Sequence, residues 1–401
     1  MRHDIIIVGG GLNGPTLALA LARVGFRVCL VDALPRRTFD DQFDGRSYAL
    51  ALASTRMLTA LGVWSEIKDA CQPMLEIKAS DGRAGTGPAP FFLHFDHAEI
   101  EEGPMGYMAE DRVLRPALLE AIEQAPGITA EYGAEVIAQT PGKVHLADGR
   151  VLEASVVVGC DGRQSGTAAR AGIKRMIRDY GQTALVCAIE HDLPHNGIAH
   201  QYFMPAGPLA ILPLKGNRSS IVWSEKTDRA KEIMAMSDAA YLEIFKPRFG
   251  DFLGDIRLAG ARYSYPLNLT LAERYIEDRV ALVGDAAHGV HPIAGQGLNL
   301  GFRDVAALAE VLRDARQRGE DVGSSPVLER YQTWRRFDAT SLAFGMDAVN
   351  TLFSNENTAL RGVRTLGMGL VQSLPGLRRR FIREAAGLTG DVPRLLTGQP
   401  L

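Results

Sequence analysis

Near the start of the chain, four glycines and a carboxylate stand at a spacing suited to holding phosphate. Gly9-Gly10-Gly11-Leu12-Asn13-Gly14 reads G-x-G-x-x-G, directly after the apolar run from Asp4 to Val8 and directly before the helical string from Thr16 to Arg23. In that context Gly9 permits a tight turn, Gly11 lets backbone amides approach a pyrophosphate, and Gly14 allows close helix packing. The helix N-terminus contributes roughly half a positive charge. Asp32 ends the next apolar run and can accept hydrogen bonds from the ribose hydroxyls of an adenosine, which favours a cofactor without a 2'-phosphate. The competing reading, a glycine turn without a ligand, fits the flanking strand and helix poorly.

This fingerprint does not separate NAD from FAD. A second carboxylate does: Val280-Ala281-Leu282-Val283-Gly284-Asp285 places Asp285 at the end of another buried strand. An NAD dehydrogenase needs nothing there, whereas the ribityl hydroxyls of FAD need an acceptor. The alternative is an aspartate that caps the next helix. His291-Pro292-Ile293-Ala294-Gly295-Gln296-Gly297-Leu298-Asn299 follows, and Gly295 and Gly297 let the backbone press against a flat ring. The helix that starts there should stabilise a reduced, anionic flavin by about 1 to 2 kcal/mol. Asp285, His288 and His291 are spaced by three, but the glycines that follow break a helix, so a metal site is not expected. His288 and His291 are read as structural or as hydrogen-bonded near the ring. Tyr180, His200 and Tyr202 are read as core or rim residues of a substrate sheet, and no catalytic residue of the protein is assigned.

The elements that must position these residues follow from the pattern of apolar runs. The chain opens with a β-α-β unit. Helical spacing follows from Ser47 to Leu61, then strands from Leu75 to Ala79 and Phe91 to Phe95, then a helix from Arg112 to Ile122 with Asp111 as its N-cap. Ala154 to Val158 is apolar on both faces and belongs inside a parallel sheet. Strand-like pieces from Thr183 to Ser224 predict an antiparallel insertion, and a long helix runs from Gly297 to Arg318. The fold class expected is α/β: a Rossmann-like, mostly parallel FAD-binding domain (1–72, 100–175 and 275–325), an interleaved antiparallel substrate-binding sheet (73–99 and 176–274), and a C-terminal helical region (326–401).

Composition bounds the function classes. The 401 residues carry 44 Lys plus Arg against 47 Asp plus Glu, so no polyanionic partner is needed and a nucleic-acid partner is not expected. Hydrophobic residues at 46% and charged residues at 23% describe a globular chain. Cys29, Cys71, Cys160 and Cys187 are scattered, with no C-x-x-C spacing, which suits a reducing compartment. The first residues read as a strand rather than a secretion signal, and the longest uncharged stretch is broken by prolines.

The stretch from His291 to Asp304 resembles the signature of the ubiquinone-biosynthesis hydroxylases, a branch of the single-component flavoprotein aromatic hydroxylases. The fingerprint, Asp161-Gly162 and Gly284-Asp285 are similar to that group's three motifs in the same order, and Asp44-Gly45-Arg46, Arg112 and Arg383 to Leu388 also match. The resemblance covers nearly the whole chain. It implies that Gly9, Gly11, Gly14 and Asp32 hold the adenosine half of FAD, that Arg46 and Arg112 contact its phosphates or nearby atoms, and that Gly284 and Asp285 meet the ribityl chain. It also implies that Pro292, Gly295, Gln296, Gly297, Leu298 and Asn299 line the isoalloxazine. Asp161 and Gly162 are associated in that group with both FAD and the visiting nicotinamide. One departure stands out: where the group often has an arginine three residues after the serine of D-G-R-x-S, this chain has Ala168.

The implied reaction uses NAD(P)H and O2 as co-substrates, passes through a flavin C4a-hydroperoxide, and hydroxylates the aromatic ring of a polyprenylated ubiquinone precursor. A soluble phenol is the alternative substrate, and a flavin-binding scaffold without turnover is the non-enzymatic alternative. A tryptophan halogenase is disfavoured because the residues around Trp223 lack W-x-W-x-I-P. Between Asn355 and Arg383 stand six arginines and one acid among apolar residues. That tail is either a solvated basic face or an amphipathic surface for anionic lipid, and Phe353, Leu366, Leu370 and Phe381 either meet the bilayer or bury against the body or another subunit. The expected location is cytoplasmic, peripheral on the inner face of the membrane, with other ubiquinone-biosynthesis proteins as candidate associates.

Overall fold

Strand Ile5–Val8 lies in the middle of a six-stranded sheet whose order is Ile276–Glu277, Val280–Leu282, Val156–Gly159, Ile5–Val8, Val28–Asp32 and Ile128–Tyr132. The computed structural model describes residues 3–36, 43–83, 87–353 and 367–401. Every pair in this sheet is parallel except the outermost one, Ile276–Glu277 with Val280–Leu282. Alternation along the central strand explains its unbroken apolar run. Ile5 and Ile7 point into the large core with Leu17, Leu300 and Val305, and Ile6 and Val8 point the other way against Val136, Val144 and Leu146. The second group belongs to a three-stranded antiparallel sheet, Val136–Thr140, Lys143–Leu146 and Val151–Glu153. A strand covered on both faces has no position for a polar side chain.

Helices Asn13–Arg23, Asp111–Gln124, Gln296–Gln317 and Ser325–Phe353 contribute to the large core. The second large sheet has eight strands, ordered His288–Gly289, Ile256–Ala272, Arg175–His191, Arg218–Lys226, Gly207–Leu214, Ile198–Met204, Glu76–Arg83 and Gly87–Asp96. Trp223, Tyr241, Phe245 and Phe249 pack this sheet against helix Asp238–Phe249. Its edge strand His288–Gly289 pairs with Thr270 and Leu271, so the chain leaves this sheet immediately before the stretch that begins at His291. No helix among the described residues is long and apolar enough to cross a membrane. All four cysteines are buried free thiols.

Three expectations need correction. Ser47–Ala51 is a strand paired with Gly106–Glu110, and only Leu52–Ala60 is helical, because cross-strand pairing overrides the helical spacing. Asp111 is the first helical residue rather than the N-cap: Glu110 holds that place, and the Asp111 carboxylate is taken by Tyr48 and Arg115. The inserted sheet is not wholly antiparallel, since Ile198–Phe203 runs parallel to Glu76–Asp81.

Candidate cofactor site

The loops that follow Ile5–Val8, Val156–Gly159 and Val280–Leu282 meet at the carboxyl ends of three adjacent parallel strands. Ligands bind such sheets where the chain turns away to opposite sides. In the first loop Gly9 has φ +112°, and a Cβ there would lie 2.4 Å from the Cys160 carbonyl oxygen. A Cβ at Gly14 would lie 2.0 Å from the Gly9 carbonyl, so only glycine lets the helix start this close to the strand. Gly11 faces open space. Helix Asn13–Arg23 has no side-chain cap and no acid in its first turn, which leaves its amide groups and positive end for an anion. Asp32 accepts from Gly10 N–H at 2.7 Å and from Leu34 N–H at 2.8 Å, which fixes the carboxylate beside the glycine turn. Gly10 is therefore a further requirement of the motif: a Cβ there would strike Asp32 Oδ2 at 2.2 Å.

The third loop is held from several sides. Gly284 N–H donates to Asp304 Oδ2 at 3.0 Å, His288 Nε2 donates to the same oxygen at 2.5 Å, and Arg335 Nε donates to Oδ1 at 2.9 Å. Asp304 is fully buried; burial pushes its carboxyl up, and His288 and Arg335 outweigh that and hold it below the usual range. Arg335 and Arg303 both pair with Asp338, extending the ion network. His288 is thus structural. Asn13, the last x of the fingerprint, reaches across to this loop. A Cβ at Gly284 or Gly301 would come within 2.2 or 2.5 Å of its Nδ2. Asp285 is different: its side chain is 40% exposed, and it meets Arg163 Nε at 3.3 Å. Arg163 also donates to the Val290 carbonyl, so it joins the second and third loops.

Asp161 accepts from the Ser165 hydroxyl, and from the Thr167 N–H and hydroxyl at 2.8 Å each. These bonds organise the start of the short helix Gly166–Arg170. Gly162 has φ +77° and open space at its Cα. Ala168, at the position where the resembled group often has an arginine, is fully buried. Arg46 and Arg112 have acidic partners of their own. Arg46 pairs with Asp44 at 2.6 Å and Asp111 at 3.4 Å, and Arg112 pairs with Glu110 at 2.7 Å. Arg112 and Arg218 both stand over the Phe43 ring.

From Pro292 to Asn299 the backbone forms a 3-10 turn and then opens helix Gln296–Gln317. Gly295 has φ +63°, and a Cβ there would lie 2.8 Å from Ala49 Cβ. This helix has neither a side-chain cap nor an acid in its first turn, and Gly297 faces open space. Gln296 donates to the Ala385 carbonyl, and Leu298 is half-buried against the large core. Asn299 spends its amide on the Ala49 and Gly295 carbonyls, and its carbonyl oxygen on Ala51 N–H and the Ser54 hydroxyl. It clamps the turn rather than offering its side chain. The residues missed from the sequence are Gly10, Asn13, Arg163, Gly301, Asp304 and Arg335. Gly10, Asn13, Arg163, Gly301 and Asp304 lie inside recognised motifs, which was the available signal; nothing local marks Arg335.

The family model described as "FAD binding domain" matches residues 2–343. "Ubiquinone hydroxylase UbiL" of Rhodospirillum rubrum is 43% identical over 99% of this chain and 93% of its own length. "3-demethoxyubiquinol 3-hydroxylase" of Escherichia coli is 36% identical over 96% and 98%. Among solved structures, p-nitrophenol 4-monooxygenase PnpA of Pseudomonas putida superimposes with a TM-score of 0.79 at 20% identity, covering 97% of this chain and 99% of that one, a likeness of fold. The open glycine turns, uncapped helix ends and exposed carboxylate suit a dinucleotide with a flat ring, and with these matches the chain belongs to the FAD-binding-domain family, within its ubiquinone-hydroxylase branch of FAD-dependent aromatic-ring monooxygenases.

Proposed function

We propose that the protein hydroxylates the aromatic ring of a polyprenylated ubiquinone precursor with NAD(P)H and O2. The observation that carries this reading is the 43% identity with a ubiquinone hydroxylase along essentially the whole chain. Bound FAD supplies the chemistry, accepting hydride from the nicotinamide and activating O2 for oxygen transfer to the ring. Gly9, Gly11, Gly14 and Asp32 hold its adenosine diphosphate end. The exposed oxygens of Asp285 would accept from its ribityl hydroxyls, and Pro292 and Gly295 to Leu298 would lie along its ring, with the open end of helix Gln296–Gln317 favouring negative charge there. Asn299 and Asp161 serve this site by shaping its loops. Arg46 and Arg112 would meet cofactor phosphate with guanidinium groups that Asp44, Asp111 and Glu110 also engage. In the proposed division, residues 1–72, 100–175 and 275–325 bind the cofactor, 73–99 and 176–274 the substrate, and 326–401 cap them. The test is NADH or NADPH oxidation with a prenylated phenol added. It should accelerate and yield ring-hydroxylated product, and stimulation by small soluble phenols alone would overturn the substrate class.

A hydrophobic substrate partitions into lipid, and the C-terminal helix Pro375–Ala385 supports docking there. Leu370 is 60% and Phe381 46% exposed, and Leu374 and Leu377 are exposed between them. Its cationic character is smaller than the sequence suggests. Arg378 pairs with Glu99 and Arg383 with Glu102, so among the described residues Arg379 and Arg380 are the arginines of this helix without an ion pair. Arg361, Arg364 and Leu366 lie outside the described residues, and Phe353 packs on Phe203 at 4.2 Å. With about 1 kcal/mol per cation near an anionic surface, Arg379→Ala with Arg380→Ala should weaken binding to phosphatidylserine vesicles roughly 30-fold. Unchanged sedimentation with vesicles would refute the docking.

A further inference from the structure

Three histidines are almost fully buried, and two have conventional partners. His288 donates to Asp304, and His191 meets the Leu193 carbonyl and the Ser219 hydroxyl. His291 is 1% exposed, and neither of its ring nitrogens has a hydrogen-bond partner among the described residues. A buried polar group left unmade costs about 1 to 3 kcal/mol, so an orphaned imidazole in a family of enzymes points to a ligand.

Its position narrows the ligand. The ring stands between the edge strand of the eight-stranded sheet, His288–Gly289, and the 3-10 turn Ile293–Gly295 that leads into the helix expected at the flavin ring. It also meets Tyr180 edge-on, with ring centroids 5.2 Å apart, and Tyr180 belongs to the long strand Arg175–His191 of the same sheet. Burial, and after it the charge of Arg163, lowers the imidazole's pKa to about 4, so it is neutral near pH 7 and carries one donor and one acceptor. An O–H group matches either nitrogen.

We propose that His291 hydrogen-bonds the ring hydroxyl of the phenolic substrate and so fixes which ring carbon faces the flavin. This rests on the proposed function above. The contact is one of position rather than proton removal, because so weak a base beside Arg163 gains little by taking a phenol's proton. His200 and Tyr202, on strand Ile198–Met204 of the same sheet, are not needed for it.

The test uses FAD-loaded protein and two probes, 2-geranylphenol and geranylbenzene, which lacks the hydroxyl. Binding is followed by the flavin absorbance difference, without turnover. Wild type should prefer the phenol roughly tenfold. His291→Phe should keep the affinity for geranylbenzene and bring the preference close to one, while His291→Gln or His291→Asn, whichever places its amide at the bonding nitrogen, should restore part of it. A phenol preference unchanged in His291→Phe, or absent from wild type, overturns the assignment. If His291→Phe fails to retain FAD, the two amide variants decide: a phenol preference below the wild-type value in both, with one of them keeping part of it, supports the imidazole contact, and the wild-type preference in both overturns it. Wild type binding neither probe overturns the proposed function, and this assignment with it.

Discussion

The loop after Ile5–Val8 and the loop after Val280–Leu282 sit at the tips of strands in one sheet and are built in opposite ways. The first is bare backbone. Gly9, Gly10 and Gly14 are required because a Cβ at each would collide with backbone or with Asp32, and Asp32 itself is tied within the loop through Gly10. The second is suspended from distant side chains: Asp304 below it, Asn13 beside it, and Asn299 clamping the turn that follows. One site is made by leaving atoms out, and the other by a network that must be intact. The first therefore fails by steric collision and the second by loss of charge balance.

Gly14→Val should break the first loop outright, because the new Cβ would sit 2.0 Å from the Gly9 carbonyl. The expected outcome is protein that is colourless or insoluble, checked by absorbance near the flavin maximum after purification. Substantial retention of FAD would show that the helix start can slide, which would remove the contrast. Asp304→Asn addresses the second loop. It leaves Arg335 buried without its full counter-charge, and breaking such a pair costs about 3 to 5 kcal/mol, measured by urea unfolding. The sign with pH is fixed by the lowered carboxyl. Wild type keeps this stabilisation above about pH 4, the ordinary aspartate value, and loses it as pH falls below that through the folded-state pKa. Asp304→Asn should have a flatter stability profile in that acid window, and identical acid sensitivity in the two proteins would show that Asp304 is not the group that titrates.

The same contrast explains what was legible in the sequence. A fingerprint whose chemistry is the absence of side chains is compressed into residues 9–14, so its fold, its helix and its partner Asp32 could all be read. Asp285 was legible for a similar reason, since it ends an apolar run buried on both faces. The roles of Asp304, Arg335 and Asp338 were not, because they rest on how two consecutive helices, Gln296–Gln317 and Ser325–Phe353, pack side by side. Asn299 was recognised, yet the hydrogen bonds that occupy it depend on tertiary placement that spacing does not encode, whereas Asp161 is taken up locally by Ser165 and Thr167. Ser47–Ala51 was misread as helix because its strand partner, Gly106–Glu110, is not adjacent in the chain.

Asp285→Ala sharpens the comparison most finely, because Asp285 and Asp304 flank the same loop and differ in what they are spent on. Asp304 has three protein donors and no exposure, whereas Asp285 has one long contact with Arg163 and a side chain that is 40% exposed. A half-exposed pair of that kind contributes little to stability, so urea unfolding of the apoprotein should shift by less than about 1 kcal/mol. FAD affinity should fall by roughly tenfold, the value of one hydrogen bond to a charged acceptor, read as flavin released on ultrafiltration. Full retention of FAD would place the ribityl chain elsewhere. A stability loss as large as that of Asp304→Asn would mean instead that the Arg163 bridge, and not the cofactor, is what this carboxylate serves.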